Sequence, residues 1–474
     1  MEPRTREFIS LASATIADPQ RQKSLQGLYG GFHQARINAA AATQGWEDLR
    51  DRGRAIKAHV VENLDHYLEM AARNVENASG KVFFAKDAAS ASDYVLGLAR
   101  ARGVRTVIKG KSMISEEMGL NHHLEASGIE AVETDLGEYL IQLAGQTPYH
   151  IIAPAIHMSR QEVSDILHEK TGAPRHDSIE EIAGVARRQL REKFIAADMG
   201  ITGANFVVAE TGTLVLVTNE GNGRMSTSMP PVHVAIMGME KIVPSMEDLG
   251  VMLRLLIRSA TGQRLSSYVT TVTGPRRADD EDGPEEFHLV IVDNGRSKLL
   301  ADPQMREALY CLRCGACLNA CPVYRKVGGH AYGWVYSGPI GAIVSPVLTD
   351  VAEAKHLPFA SSLCGACREV CPVRINIPRM LLHLRHEIAE GGTHVSKPAA
   401  PVIERVMMRG YRATVSRPSA MRLAGGVGRL AQSPLARNGR IRRLPPPLSG
   451  WTRYRTFPTL ASRTFRARWK RGIR

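Results

Sequence analysis

At 474 residues the chain is long enough for two or three domains with substantial cores, and 44% apolar with 23% charged residues is the make-up of a soluble globular protein. The net charge of +14 is unevenly placed: residues 401–474 hold seventeen arginines and one lysine against the single acid Glu404, a local +17 that leaves −3 for everything before it. No window approaches 18 consecutive apolar residues, which excludes a bilayer-spanning helix, and the opening Met-Glu-Pro-Arg-Thr-Arg-Glu lacks the apolar stretch of a secretory signal. The expected location is the reducing cytoplasm.

Residues 1 to about 100 read as helical, with apolar side chains at three- and four-residue steps such as Ile56, Val60, Val61, Leu64, Tyr67 and Leu68. Helix and strand then alternate. A helix over Ala88–Arg102, closed by Gly103, leads to a strand at Thr106–Lys109; further strands are expected at Ile129–Thr134 and His150–Ile156, and a helix over Arg160–Lys170. This spacing predicts an α/β domain with a mostly parallel sheet covered by helices. Phe206–Thr218 reads as two strands around a Glu210-Thr-Gly-Thr turn and Val232–Gly238 as another strand, with a polar loop over 219–231 whose glycines free the backbone to approach a ligand. Arg277–Glu286 is an acidic surface loop, Phe287–Val292 a last strand, and Gln304–Leu312 a helical stretch. Farther on, the glycine- and aromatic-rich loop Val327–Pro339 is expected to shield a cofactor from water, between helices over Pro346–Lys355 and Pro378–Glu390. Four regions result: a helical segment 1–60, the α/β domain 61–300, a helical domain 301–395 and a basic region 396–474.

All seven cysteines lie in two short runs, Cys311-x2-Cys314-x2-Cys317-x3-Cys321-Pro322 and Cys364-x2-Cys367-x3-Cys371-Pro372. The first is the spacing with which three thiolates grip one iron-sulfur cluster while the fourth reaches a second cluster. Applied here, Cys311, Cys314, Cys317 and Cys371 hold cluster 1, and Cys321, Cys364 and Cys367 hold cluster 2. Zinc has no use for three cysteines at successive x2 spacing followed by Cys-Pro, and disulfides would leave an odd cysteine. Ser361 stands where the second run would have its first cysteine. Its hydroxyl either caps the following turn or serves as the fourth ligand, with water, a partner or an absent iron as the remaining options; both clusters are expected as 4Fe-4S, with 3Fe-4S open for cluster 2.

Other signals are weak. Gly103 and Gly110-Lys111-Ser112 are too far apart for a phosphate loop, and Gly426–Ala431 matches a dinucleotide fingerprint without a preceding strand, so no flavin or nicotinamide site is evident. His122 and His123 have no ligand partners at suitable spacing and are expected on a helix surface.

The order Lys109-Gly-Lys111-Ser-Met-Ile-Ser115, Glu133-Thr-Asp135-Leu-Gly-Glu138, Ala209-Glu210-Thr-Gly-Thr, Gly221-Asn-Gly-Arg224-Met, the two cysteine runs and Gly450-Trp-Thr resembles the lactate utilization protein B family. The resemblance implies a LUD domain, similar to the sheet of the ribose-5-phosphate isomerase and CoA-transferase superfamily, followed by a two-cluster ferredoxin domain; the 42 residues between Cys321 and Cys364 are too many for a minimal two-cluster ferredoxin of hairpins, and the arrangement resembles the helical ferredoxin domain of succinate dehydrogenase iron-sulfur subunits and heterodisulfide reductases. It also implies an electron-carrying subunit that acts with two partner proteins in oxidising L-lactate to pyruvate. Clusters accept single electrons, which suits relay. The alternatives are a LUD domain that is itself an enzyme on an anionic acyl or hydroxy acid, with the clusters draining electrons, and an iron-sulfur regulatory or scaffold protein. Glu210 is the candidate nucleophile for the enzyme, set against a capping or ion-pairing role, and Lys109, Lys111, Asn222 and Arg224 are candidates for an anion site. In the basic tail, arginines interleaved with Trp451, Tyr454, Phe457, Phe465 and Trp469 suit docking on an acidic partner ahead of a solvated tail or nucleic acid.

Overall fold

The computed structural model describes residues 4–446 and 448–472, and the chain divides into two compact units, Met1–Pro398 and Ala399–Arg474. The strands of the first unit, in chain order, are β1 (Lys81–Ala85), β2 (Thr106–Lys109), β3 (Glu130–Glu133), β4 (Met199–Thr202), β5 (Phe206–Val208), β6 (Thr213–Thr218), β7 (Val232–Gly238), β8 (Ile242–Val243), β9 (Tyr268–Val272) and β10 (Glu286–Val292). Six of them form an all-parallel sheet in the order β1-β10-β7-β4-β2-β3. The other four form a smaller mixed sheet, β8-β5-β6-β9.

The parallel sheet is buried on both faces, which is why its central strands are almost wholly apolar. Val234, Ile236 and Val290 pack with Ala91, Val95 and Ala99 of the helix Ala88–Ala101. On the opposite face Ala235, Met237, Leu289 and Ile291 meet Val60, Leu64, Ala71 and Val75 of the N-terminal helices together with Val207 and Leu214 of the small sheet. The chain runs outward from β2 to β3, then crosses back to β4 and continues through β7 to β10. The strand order therefore reverses between β2 and β4, and the carboxyl ends of those two strands open a crevice.

Several expectations change. The first hundred residues are not purely helical: Lys81–Ala85 adds β1 to the sheet edge beside β10. His150–Ile156 is a series of turns, because Pro154 has no N–H to give a ladder and the imidazole Nδ1 of His150 takes the N–H groups of Ile152 and Ala153 instead. The polar loop over 219–231 contains the helix Asn222–Ser228; a Cβ on Gly200 of β4 would stand 2.0 Å from the Ser226 carbonyl oxygen, so glycine there lets this helix sit directly on the sheet. The helix expected at Pro346–Lys355 ends at Leu348, having begun at Gly338, and over 304–312 only a 3-10 turn, Arg306–Tyr310, forms.

In the second unit, helices Val402–Val415 and Pro418–Gln432 lie against each other and bury no residue, while short strands at Ala436–Arg437, Arg440–Ile441 and Phe457–Pro458 form a small antiparallel sheet. No helix among the described residues is long and apolar enough to cross a membrane.

Candidate functional site

The two cysteine runs fold alike. In each, a non-glycine residue with positive φ (Arg313, 59°; Leu363, 53°) precedes a cysteine, a left-handed glycine follows it (Gly315, 73°; Gly365, 84°), and a short helix begins (Ala316–Ala320; Ala366–Glu369). This winding turns backbone N–H groups toward sulfur: Arg313 donates to Cys311 Sγ at 3.4 Å, Tyr324 to Cys321 Sγ at 3.4 Å and Ile375 to Cys371 Sγ at 3.3 Å. In the second run Leu363 N–H donates to Ser361 Oγ at 3.1 Å, so the hydroxyl occupies the place that the Cys311 sulfur has in the first run.

Cys371 of the second run joins Cys311, Cys314 and Cys317 around one small cavity, closed by Ile151, Leu312, Ile340, Val373, Ile375 and Ile377. Burial raises the thiols of Cys314 and Cys367 to about 12 and Cys371 to about 11, and also lifts Cys321 and Cys317 above the ordinary range. Crowded apolar thiols of this kind lose their protons only to a coordinated cation, and N–H groups aimed at sulfur stabilise the thiolate that results. The donor set thus fits iron-sulfur ligation. Cys364 is exposed, and there the Ala366 N–H holds the thiol below its usual value.

The turns at 150–156 hold the first run in place. His150 Nε2–H donates to Asn319 Oδ1 at 2.9 Å, and burial keeps the ring neutral, with its pKa lowered to about 4. A side chain at Gly315 would be 3.2 Å from Ile152 and 3.3 Å from the His150 ring.

Beside this region lies a cavity of about 440 Å³ at the carboxyl ends of β2, β4 and β7, reached by Gly110, Lys111, Thr202, Gly203, Gly238, Lys241, Arg296, Arg313 and Tyr336. A buried ion network forms one wall. Arg296 grips Glu117 with Nη1 at 2.9 Å and Nη2 at 2.8 Å and donates through Nε to Glu240 at 2.8 Å; Tyr336 Oη donates to Glu117 at 2.6 Å. Burial alone would raise Glu240, yet Arg296 and Arg313 outweigh it and hold the carboxyl at about 2. Arg313 stacks on Tyr336, 4.2 Å from the ring centre.

The residues singled out from sequence separate. Lys111 and Asn222 line the cavity. Lys109 is buried and donates to Glu133, Glu116 and Asn121, an internal cluster that ties together the motif residues Lys109 and Glu133. Arg224 is exposed on the helix Asn222–Ser228, outside the cavity lining. Glu210 is exposed too, and its Oε1 accepts from Met246 N–H at 2.8 Å, at the start of the helix Met246–Ala260. His122 and His123 are exposed on the helix Leu120–Ala126. Sequence reasoning missed Lys241, Arg313 and His150; the only available signal was that Arg313 lies inside the first cysteine run.

Comparison with known proteins agrees with this architecture. A family model described as LUD domain matches residues 68–292, a 4Fe-4S dicluster domain matches 307–375, and the C-terminal region of lactate utilisation protein B matches 383–472. The class of protein is thus a parallel α/β LUD domain followed by a 4Fe-4S dicluster domain. Lactate utilization protein B of Oceanobacillus iheyensis is 45% identical over 448 residues, covering 94% of this chain and 92% of that one. The protein of that name from Macrococcus caseolyticus is 47% identical over 98% of both chains, and that of Bacillus licheniformis 46% identical over 91% of this chain and 89% of its own. The chain belongs to the lactate utilization protein B family. A solved DUF162 family protein from Deinococcus radiodurans aligns with 48% of this chain and 98% of its own at 13% identity, with a TM-score of 0.27.

Proposed function

We propose that the chain is the iron-sulfur electron-transfer subunit of a cytoplasmic complex that oxidises L-lactate to pyruvate, acting with two other subunits. The observation that carries this reading is the convergence of Cys371 with Cys311, Cys314 and Cys317 on one apolar cavity, which supports crossed ligation of two neighbouring clusters. When bound, the clusters would supply one-electron storage at two sites in one polypeptide. Cys311, Cys314, Cys317 and Cys371 would hold cluster 1; Cys321, Cys364 and Cys367 would hold cluster 2, with Ser361 at its fourth position. The apolar side chains around the first site exclude water, and the N–H groups of Arg313, Tyr324 and Ile375 tune the thiolates. Exposure of Cys364 makes the second site the exit toward a partner. In this reading the sheet is kin to the ribose-5-phosphate isomerase and CoA-transferase superfamily, and residues 301–395 form a helical ferredoxin domain.

Anaerobic counting of iron and sulfide, joined to electron paramagnetic resonance, tests the cofactors; zinc in place of iron ends the proposal. Cys364→Ser in the reconstituted complex is expected to slow lactate-dependent dye reduction at the partner by about tenfold or more while leaving the LUD domain folded. Lactate-dependent dye reduction by the isolated chain would instead favour the enzymatic alternative.

A further inference from the structure

The LUD cavity is lined by four cations, Lys111, Lys241, Arg296 and Arg313, against three carboxylates, Asp135, Glu220 and Glu240. Around the Glu117–Arg296–Glu240 network stand four cations, Lys57, Lys241, Arg296 and Arg313, against two carboxylates. Arg296 is fully engaged, and Lys57 donates to the Glu240 carbonyl. The other two are engaged less completely. Arg313 Nη1 is buried with no hydrogen-bond partner among the described residues, and its Nη2 reaches Glu240 only at 3.5 Å. Lys241, partly buried, makes no hydrogen bond or ion pair among the described residues. Both side chains line the cavity. Arg313 Nη1 and the Lys241 ammonium are thus left without a hydrogen-bond acceptor among the described residues.

Position adds an independent argument. The cavity sits where the strand order reverses, outside the carboxyl ends of β2 and β4, the place where open parallel sheets take their ligands. Its volume of about 440 Å³ lies within the range of small-molecule sites. Away from the charged residues the lining mixes hydroxyl and amide groups from Thr202, Asn205 and Thr218 with apolar Ile236 and Leu256, which suits a short carbon skeleton bearing a hydroxyl or oxo group.

We propose that this cavity binds a small 2-hydroxy or 2-oxo carboxylate, its carboxylate held between Lys241 and Arg313 next to the first cysteine run. The choice of acid rests on the lactate-oxidation reading; the anion site itself rests on the unpaired donors. The test is isothermal titration of the anaerobically purified full chain with L-lactate and with pyruvate. Saturable binding of at least one acid is expected, weakened about tenfold or more by Arg313→Lys and by Lys241→Gln, the latter with iron content and visible absorption unchanged. The inference is overturned if neither acid binds, or if both variants bind as tightly as the unsubstituted chain. The same preparation, reduced with dithionite and offered a dye, measures relay separately: a chain that relays without binding loses only this inference, and one that binds without relaying loses only the electron-transfer reading.

Discussion

Arg296 carries its charge in the interior of the first unit, where an unpaired guanidinium would be prohibitive, and it is tolerated because Glu117 and Glu240 meet all three of its nitrogens. Removing the arginine strands two buried carboxylates. Arg296→Met is expected to cost about 3–5 kcal/mol in urea unfolding, far more than loss of an exposed ion pair. The same network has a pH signature. The folded value of Glu240, about 2, lies below the ordinary 4.5, so its stabilisation is complete above the ordinary value and is lost as pH falls toward the folded one. The stability gap between the native chain and Glu240→Gln should therefore narrow steadily from about pH 5 to about pH 2; a gap independent of pH would show that Glu240 is not held as an anion. At the second cysteine run, Ser361 accepts from Leu363 N–H as Cys311 accepts from Arg313 N–H. If the second run holds the proposed second cluster, Ser361→Cys is expected to slow its loss of iron in air, read from the three-iron paramagnetic signal; an unchanged rate would leave Ser361 as a turn cap alone.

Among the elements, the turns at 150–156 tie the LUD sheet to the cysteine loops. One imidazole satisfies two backbone donors and one amide, and it can do so only as the neutral Nε2–H tautomer. His150→Ala leaves the buried Asn319 amide without its partner, at about 1–3 kcal/mol, frees two half-buried N–H groups, and is expected to speed iron release into a chelator while the far-ultraviolet circular dichroism stays native. The helix Asn222–Ser228 makes a different demand. Its carbonyl at Ser226 occupies the space of a Cβ at Gly200, so even Gly200→Ala must push the backbone apart, lowering stability by about 1–3 kcal/mol in thermal unfolding. That helix also forms the floor of the cavity through Asn222, so the same substitution should weaken carboxylate binding.

At the scale of the whole molecule, the LUD domain and the cysteine region are one compact unit, whereas residues after Pro398 form their own. The second unit keeps Val402, Ile403, Val406, Met407 and Tyr411 exposed on one helix amid its arginines. A chain truncated after Pro398 is expected to retain its iron and its cavity. If the tail docks on an acidic partner, truncation should also abolish a salt-sensitive association with the other subunits, measured by co-elution at low and at high ionic strength. Co-elution that persists after truncation would place the partner surface on the first unit.

Residue type and spacing along the chain were enough for the covalent logic: which side chains can hold iron, at what intervals, and which apolar runs must become buried parallel strands. These are local properties, set by periodicity and by the chemistry of the thiol. The tertiary structure decided what depends on residues distant in the chain. Lys109 sits at the motif position that suggested an anion site but is consumed by Glu133, 24 residues away, while folding brings Lys241 and Arg313 to one cavity wall, where Lys241 and one guanidinium nitrogen of Arg313 have no hydrogen-bond partner among the described residues. His150, on a segment that reads as a strand, becomes a brace for Asn319. Net charge and motif can be counted along a chain; whether a given charge meets a counter-ion is settled only by the packing that surrounds it.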